Sequence, residues 1–536
     1  MAIKSLLTGL TLLLSIAAAA SNDGLTVVTN TGTVTGLINS TTPQVRQFHA
    51  IPYARSPTGH LRFMPPEPLA HNRNKQVNAT QFPPSCPQFK TAYRGIFQDL
   101  QPESTIPNVA QNSTPGAVAN SSDENCLYLA VWAPVQTKTE KGLPVIFFVP
   151  GGGFITGGLD EDVQKPHHWV QKSQAHIVVI ANYRMSIFGW PNAPGLESPN
   201  VGILDMRLAL EWVKDNIANF GGDPDRIILW GESAGAVMLD MYSYTHHSDM
   251  LAAGLHIASG STITPAASNK SPDLARTNFT YVAEHVGCSG LSSSPKAQLS
   301  CMQEVPWRRI ADFVGQYLDR QALEDPTMPL LAFTPVPDEV TIFSNYTTRY
   351  LEGNYSTLPT ILSNCANEAS AVYPAGPVYE AYLQNGTWPD QTIINTITLQ
   401  NFICPTAQTT ENRRRIGAPT YRYLYAANIT SIPPLPFLGA HHGADIPSVM
   451  GAWKDVVGVP PEKEFAGSVG EAMQDALLAF AEDPEGVAER IGWPEAGSGK
   501  MLLFGGEGRA VQSVGIEEVD GACKPARSGT YRWSWD

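Results

Sequence analysis

The stretch 226-RIILWGESAGAVML-239 carries most of the information about the fold. A short apolar run, Ile227 to Trp230, is followed by Gly-Glu-Ser-Ala-Gly and then by apolar residues at helical spacing. A strand that turns directly into a helix through a G-x-S-x-G pattern holds the serine on a sharp, strained turn, because the glycines let the chain pass close by. The stretch therefore predicts that Ser233 is a nucleophile, although a bare G-x-S-x-G pattern also occurs in ordinary turns.

Strand-like and helical segments alternate before this stretch. Continuous apolar runs predict buried strands at Val145 to Val149 and Ile177 to Ala181. Apolar residues recur at near-helical spacing from Asp205 to Ile217, and Gly221-Gly222 is predicted to end that helix. Such alternation is typical of crossover units on a parallel sheet. The fold class is therefore predicted to be α/β, with a large, mostly parallel central sheet covered by helices on both faces.

The first twenty residues predict a cleaved secretory signal. Lys4 precedes an apolar stretch from Leu6 to Ile16, and the small residues Ala17 to Ala20 suit cleavage. A membrane anchor is the alternative, but the apolar stretch is shorter than the roughly 20 residues that span a bilayer. We expect a secreted, extracellular protein without a stable membrane anchor, in which residues 21–536 form a single domain.

The composition narrows the choice of partners. The net charge is −14, which argues against nucleic acid as a ligand.

The run Arg413-Arg414-Arg415 is short and is predicted to form a solvated helix face. The segment from Ser259 to Asn354 is predicted to be loop-rich. Asn-X-Ser/Thr sequons, typical of a glycosylated surface, occur at Asn39, Asn78, Asn112, Asn120, Asn269, Asn278, Asn345, Asn354, Asn385 and Asn428.

A glycine-rich turn directly follows the strand predicted at Val145 to Val149. It reads Pro-Gly-Gly-Gly-Phe at positions 150–154 and would expose backbone N–H groups. Fixed N–H donors stabilise the oxyanion that forms when a serine attacks an ester carbonyl. We therefore predict an oxyanion hole made by Gly152 and Gly153 with the N–H group of Ala234. A phosphate-binding loop is the alternative, but no Gly-Lys-Ser/Thr follows the glycines.

A serine nucleophile needs a histidine base, and in hydrolases of this kind the chain order is serine, acid, histidine. Among the chain's 12 histidines, adjacent pairs occur at 167–168, 246–247 and 441–442. The last pair lies in a glycine-flanked loop late in the chain, and we favour His442 over His441 as the base. A metal site built from one adjacent pair is not predicted, because the side chains of sequence neighbours usually point in different directions.

The third member of the constellation is a carboxylate that orients the histidine. The run Pro359 to Leu362 reads as a strand and leads into Ser-Asn-Cys-Ala-Asn-Glu-Ala, so Glu368 falls on a loop just past a strand end. Sheets of this class carry their chemistry at that edge. Taken without further information, Glu368 is one of many surface carboxylates.

Several longer stretches together resemble the type-B carboxylesterase, lipase and cholinesterase family of α/β-hydrolases, and in particular its fungal secreted members. The resemblance extends from about Thr26 to Cys523. It is carried by IPYARSPTGHLRF (51–63), ENCLYLAVWAP (124–134), PGGGF (150–154), NYRMSIFGW (182–190), LDMRLALEWVKDNIANFGGDPDRI (204–227), GESAGA (231–236), SNCANEAS (363–370) and HHGADIP (441–447).

The resemblance implies roles for particular residues. Ser233, Glu368 and His442 would form a catalytic triad, with Gly152, Gly153 and Ala234 as the oxyanion hole. It also implies two structural ion pairs, Arg62 with Glu124 and Arg184 with Asp205. The disulfides would be Cys86–Cys126, Cys288–Cys301 and, less firmly matched, Cys404–Cys523, which leaves Cys365 as a free thiol among seven cysteines.

Departures from the family pattern limit what the resemblance implies. The loop from Cys86 to Cys126 contains no tryptophan, whereas cholinesterases use one there to hold a quaternary ammonium group. Choline esters are therefore not the expected substrates. The same loop is a lid in the lipase branch, and Tyr93, Ile96 and Phe97 would be its apolar residues.

The resulting expectation is hydrolysis of a small-molecule or lipid ester through an acyl-enzyme, without metal or cofactor. A lipase that acts on long-chain acylglycerols is one alternative. A catalytically inactive interaction protein on the same scaffold is another, although such proteins usually lack the nucleophile. The sequence makes no prediction of acyl specificity or of oligomeric state.

Overall fold

The computed structural model of the 536-residue chain describes most of it. The described residues are 24–89, 91, 122–136, 141–264, 273–325, 327–373, 377–429, 438–456, 463–524 and 531. The predicted signal segment lies outside these residues, and so do Tyr93, Ile96 and Phe97 of the predicted lid.

The strands form two sheets, a large one of 11 strands and a small one of three. The strands are β1 Thr26–Val28, β2 Thr33–Thr35, β3 Leu37–Ile38, β4 Val45–Pro52, β5 Gln76–Asn78, β6 Tyr128–Pro134, β7 Leu143–Val149, β8 Ile177–Ala181, β9 Gly222–Glu232, β10 Gly254–Ala258, β11 Thr360–Cys365, β12 Thr420–Tyr425, β13 Lys500–Phe504 and β14 Val511–Gly515.

The large sheet is parallel at its centre and antiparallel at both edges. Its strand order is β14-β13-β12-β11-β10-β9-β7-β8-β6-β4-β3. The seven central strands, in the spatial order β13-β12-β11-β10-β9-β7-β8, pair in parallel with one another. Strand β14 on one side and β6, β4 and β3 on the other pair antiparallel. The predicted mostly parallel α/β sheet is confirmed. Strands β1, β2 and β5 form the small sheet.

Helices occupy the connections between the strands. They are α1 His167–Ser173, α2 Ser186–Gly189, α3 Val201–Asn216, α4 Ala234–Thr245, α5 Thr277–His285, α6 Pro295–Glu304, α7 Trp307–Leu323, α8 Tyr346–Leu351, α9 Ala369–Val372, α10 Pro377–Asn385, α11 Gln391–Thr398, α12 Cys404–Arg415, α13 Asp445–Met450, α14 Trp453–Val456, α15 Lys463–Glu482, α16 Val487–Ile491 and α17 Glu517–Asp520. None of the helices in the described part of the chain combines the length and the hydropathy that crossing a bilayer requires.

Alternate residues of the central strands pack into two separate cores, as expected for side chains that point to opposite faces of a sheet. Ile146 and Phe148 of β7 pack on the side of α15, where Met473 and Phe480 are buried. Their neighbours in β7, including Phe147, pack on the opposite side with α3 and α4. Helices therefore cover both faces of the sheet, as predicted.

Local predictions were right about element type and less accurate at the boundaries. Strand β8 has the predicted bounds, whereas β7 begins two residues earlier than expected. The helix predicted from Asp205 begins at Val201 and ends at Asn216. Gly221 adopts φ 96° and turns the chain, but Gly222 already belongs to β9. Strand β7 and helix α3 both begin earlier than predicted, and their first residues, Leu143 and Val201, are buried.

Two predictions were wrong, the second of them in part. The segment from Ser259 to Asn354 contains helices α5 to α8, since its scattered apolar residues, such as Phe279 and Ile310, pack in one core with Phe63 and Phe188 from earlier in the chain. The solvated helix face predicted for Arg413-Arg414-Arg415 is correct for Arg414 and Arg415, which are exposed, and wrong for Arg413. Arg413 is fully buried, and its guanidinium donates to Thr420 Oγ1 and to the carbonyl oxygens of Ser356 and Leu358.

The cross-links implied by the family resemblance are present. The structure contains disulfides Cys86–Cys126, Cys288–Cys301 and Cys404–Cys523, and Cys365 is a buried free thiol. The buried ion pairs are bidentate: Arg62 donates to both carboxylate oxygens of Glu124, and Arg184 to both of Asp205.

Candidate active site

Ser233 stands at the junction of β9 and α4 with a strained backbone. Its φ of 54° and ψ of −121° are unusual for a residue with a side chain. Its own N–H donates to the carbonyl oxygen of Ala258, at the end of the neighbouring strand β10. The side chain is therefore held where two parallel strands end, as the strand-turn-helix prediction requires.

The glycines around Ser233 are required by close backbone contacts. A Cβ atom on Gly231 would lie 2.4 Å from the carbonyl oxygen of Gly235, and one on Gly235 would lie 2.1 Å from that of Val149. A Cβ on Gly151 would lie 2.9 Å from the Cβ of Ser233. All three approaches are too short for real Cβ atoms, so the turn and the glycine loop after β7 fit together only with glycine at these positions.

His442 lies between Ser233 and Glu368. Its Nε2 atom is 2.8 Å from Ser233 Oγ, and its Nδ1 atom is 2.6 Å from Glu368 Oε2. The ring of Phe402 packs against the imidazole, with 5.1 Å between centroids. Of the adjacent pair, only His442 takes part: His441 Nδ1 lies 3.2 Å from the carbonyl oxygen of Gly439.

Glu368 is fully buried and fixed by other groups besides His442. Its Oε1 atom accepts hydrogen bonds from the hydroxyl of Ser259, at 2.6 Å, and from the N–H of Cys365, at 2.8 Å. Oε2 is thus left for the imidazole. These hydrogen bonds fix the orientation of the carboxylate that faces His442.

The glycine loop after β7 lies beside the nucleophile. Gly152 and Gly153 adopt φ values of 106° and 63°, and the carbonyl oxygen of Gly152 accepts from the N–H groups of Ile155 and Thr156. A Cβ on Gly152 would lie 2.0 Å from the carbonyl oxygen of Thr156. Ala234 begins α4, where the first backbone N–H groups have no partner within the helix.

Glu232 places a second carboxylate on the imidazole. Its Oε1 atom is 3.3 Å from His442 Nε2. Burial raises the pKa of Glu232 to about 7, which favours its neutral form. Burial alone would lower the pKa of His442, but Glu232 and Glu368 outweigh it and raise that pKa to about 9. The two groups titrate together, because a neutral Glu232 no longer stabilises a charged imidazole.

Three polar neighbours of the triad were not predicted from the sequence: Ser259, Glu232 and Asp445. Glu232 is next to Ser233 in the sequence, and Asp445 is three residues after His442. Their closeness to predicted catalytic residues was a signal that the sequence offered. Asp445 is buried, accepts from the hydroxyl of Tyr423 at 2.8 Å and lies 3.5 Å from Cys365 Sγ. Nothing in the sequence marks Ser259.

Residues able to hold a metal ion lie elsewhere. Within the described residues, the group of potential metal ligands is His167, His168 and Asp455, outside the triad. The triad itself is an assembly of a hydroxyl, an imidazole and a carboxylate in hydrogen-bonded sequence, which is the arrangement that activates a serine for attack on a carbonyl group.

Comparisons with known proteins identify the family of the chain. A model of the carboxylesterase family matches residues 23–387. The chain is 38% identical over 524 residues to a chlorogenic acid esterase from Aspergillus niger, with 94% of each chain covered. It is 35% identical to secreted lipase 5 from Gibberella zeae, covering 93% of this chain and 94% of the relative.

A more distant relative is an acetylcholinesterase from Bungarus fasciatus, 28% identical over 511 residues, with 88% of this chain and 80% of the relative covered. The family model ends before His442, whereas the matches to the esterase and to secreted lipase 5 each cover more than nine-tenths of the chain. The chain belongs to the carboxylesterase family of α/β-hydrolases and is a carboxylic ester hydrolase.

Proposed function

We propose that this protein hydrolyses carboxylic esters through a covalent acyl-enzyme on Ser233. The observation that carries the proposal is the continuous hydrogen-bonded sequence from Ser233 Oγ through His442 to Glu368 Oε2. His442 is the general base, and Glu368 sets its orientation and tautomer. The N–H groups of Gly152, Gly153 and Ala234 form the oxyanion hole.

The reaction proceeds in two halves. Ser233 Oγ attacks the ester carbonyl carbon while His442 Nε2 accepts its proton, and the oxyanion is held by the backbone N–H groups, each contributing about 3 to 4 kcal/mol. The carbon–oxygen bond to the alcohol then breaks, and the alcohol leaves with the proton from His442. Water, deprotonated by His442, attacks the acyl-enzyme and releases the carboxylic acid and free Ser233.

The test is a serine exchange with a matched control. Ser233→Ala is expected to abolish hydrolysis of p-nitrophenyl acetate and labelling by a fluorophosphonate probe. Ser468→Ala, at an exposed serine of α15, is expected to retain both. If Ser233→Ala is still labelled and active, another nucleophile does the chemistry. A wild-type protein that is neither labelled nor active would be the inactive interaction protein.

The substrate class is narrowed by the relatives. The similarity to a chlorogenic acid esterase favours esters of aromatic acids, and the similarity to secreted lipases favours acylglycerols as the second candidate. A panel containing chlorogenic acid, tributyrin and emulsified triolein separates them. Aromatic esters are expected to give the highest kcat/KM; a jump in rate on emulsified triolein would favour the lipase and a lid in loop 86–126.

The same proposal includes export. Residues 1–20 would be removed during secretion, and the relatives named as secreted support this route. The sequon residues Asn39, Asn78, Asn345 and Asn385 are exposed, as attached glycans require. Recovery of active protein from the medium, with an N-terminus near residue 21 and a mass lowered by endoglycosidase, is the expected result.

We also infer that residues 21–536 form one domain. Ser233 and His442 are 209 residues apart in the chain and meet in one site, and the central sheet takes strands from both halves of the chain. A single cooperative unfolding transition is expected by calorimetry, whereas two separable transitions would contradict this inference.

A further inference from the structure

A second group of chemically capable side chains lies away from the triad. His167 and His168 begin helix α1, and Asp455 lies in the short helix α14. His167 Nε2 is 2.7 Å from Asp455 Oδ2, and His168 Nε2 is 2.9 Å from Asp455 Oδ1. Both imidazoles therefore converge on one carboxylate, although 287 residues separate His168 from Asp455 in the sequence.

Adjacent histidines in a helix usually point in different directions, since successive side chains are about 100° apart around the axis. Here the two rings lie side by side, with 4.4 Å between their centroids and a tilt of 41°. The three potential ligand atoms lie within 4.8 Å of one another. Two nitrogen donors and the carboxylate oxygens of Asp455 therefore lie close together in one group.

The packing around the group holds it in place. Gly451 ends α13 with φ 74°, and a Cβ there would lie 3.1 Å from the Cβ of His168, so only glycine lets the two segments approach this closely. The carbonyl oxygen of Val449, two residues before Gly451, accepts from buried Gln474 of α15 at 2.8 Å. Helix α1 and the segment that carries Asp455 are thus fixed by contacts independent of the three ligand atoms.

The donor set has the chemistry of a zinc site. Two imidazoles and one carboxylate with a water molecule complete a tetrahedral shell, in which ligand atoms about 2.0 to 2.2 Å from the ion are about 3.3 Å apart. The present separations, 2.7 Å to one oxygen of Asp455 and 2.9 Å to the other, need to open by about 0.4 to 0.6 Å, and the two imidazole nitrogens already lie within 4.8 Å of each other. The side chain of Asp455 is 44% exposed, which leaves a path for the ion and a place for the water.

We propose that His167, His168 and Asp455 bind one divalent transition metal ion of the Zn²⁺ type, which ties the start of α1 to the segment after the catalytic His442 loop. The ion joins two helical segments and lies apart from the triad. It replaces two hydrogen bonds by three coordinate bonds and adds no group to the triad, so ester hydrolysis does not require it.

The test is zinc titration of the full-length secreted protein after treatment with a chelator. Calorimetry is expected to give one Zn²⁺ per chain, and Co²⁺ is expected to give the intense visible absorption of a four-coordinate ion. Asp455→Asn and His168→Gln are each expected to weaken zinc binding at least about tenfold while retaining esterase activity. His71→Gln is the matched control, because His71 is exposed and lies far in the sequence from the three proposed ligands. This variant is expected to bind zinc like the wild type.

A further variant separates this site from the triad. His442→Ala is expected to lose ester hydrolysis and keep zinc binding, so failure of the proposed triad and failure of the metal site give different results. The metal site is overturned if the wild type binds no zinc, or if Asp455→Asn and His168→Gln bind it with wild-type affinity.

Discussion

In two pairs of adjacent histidines in this protein, the imidazole rings make different contacts. In the pair 441–442 the side chains separate: His441 bonds to the nearby carbonyl oxygen of Gly439, and His442 bridges Ser233 and Glu368. In the pair 167–168 both rings converge on Asp455. The same dipeptide therefore supplies the proposed base in one place and a pair of ligand-type donors in the other.

The difference comes from where the carboxylates lie. Glu368 is fully buried, and its other oxygen is already occupied by Ser259 and Cys365, so it has room for a single imidazole. Asp455 is part exposed and offers one oxygen to each ring. The role of an adjacent histidine pair is therefore not set by the dipeptide itself. It depends on how many oxygens of the nearby carboxylate are available to the two rings.

The largest expected effect concerns the first pair. His442→Ala removes the base and is expected to lower kcat about 10⁴-fold, because Ser233 loses its proton acceptor. His441→Ala removes a ring that bonds to its own loop and is expected to cost at most about tenfold. Steady-state kinetics on p-nitrophenyl acetate measures both. Equal losses would show that the two rings are not functionally distinct.

The next effect concerns the carboxylate behind His442. Glu368→Gln keeps the shape but presents an amide, which cannot stabilise the imidazolium or hold the right tautomer, and kcat is expected to fall about 10³-fold. Asp445→Asn is the matched control, because Asp445 bonds to Tyr423 rather than to the imidazole, and a loss of less than about tenfold is expected. A Glu368→Gln variant with near wild-type kcat would remove Glu368 from the triad.

A smaller effect is expected in the pH profile. The carboxylate of Glu232 raises the pKa of His442, and catalysis requires the neutral imidazole, so kcat/KM rises as pH rises through that pKa. Glu232→Gln removes the charge and lowers the pKa, which is expected to move the acidic limb to lower pH by about one unit. A limb that stays in place or moves to higher pH would contradict the electrostatic role of Glu232.

The smallest expected effect concerns His167 and His168 in the metal-free protein. Burial acts to raise the pKa of Asp455, but its bonds to His167 and His168 outweigh burial and hold that pKa well below its usual value. The carboxylate therefore stabilises the fold above about pH 4 and loses this effect as pH falls further.

Because Asp455 is part exposed, Asp455→Asn is expected to cost less than about 1 kcal/mol in chelator-treated protein. Urea unfolding of both proteins at pH 6 and pH 3 measures the difference, which should shrink at the lower pH. A difference that grows on acidification would mean that the carboxylate does not act through its charge.

Much of the site was predictable because local patterns carry it. Ser233, Gly152 and Gly153 occur in short glycine-containing motifs whose backbone needs are visible in the sequence. Glu368 and His442 were predictable from the family resemblance rather than from their own surroundings. The helices between Ser259 and Asn354 and the burial of Arg413 were missed, because both depend on a packing partner far away in the chain.

The sequence by itself determined the α/β class, the nucleophile turn and the succession of strands, since these follow from residue spacing, apolar runs and the steric freedom of glycine. Only the tertiary structure decided that Ser259 fixes Glu368, that Glu232 faces His442 and that Asp455 lies in front of His167 and His168. Contacts of this kind join residues far apart in the chain, and their geometry is set by how strands and helices pack.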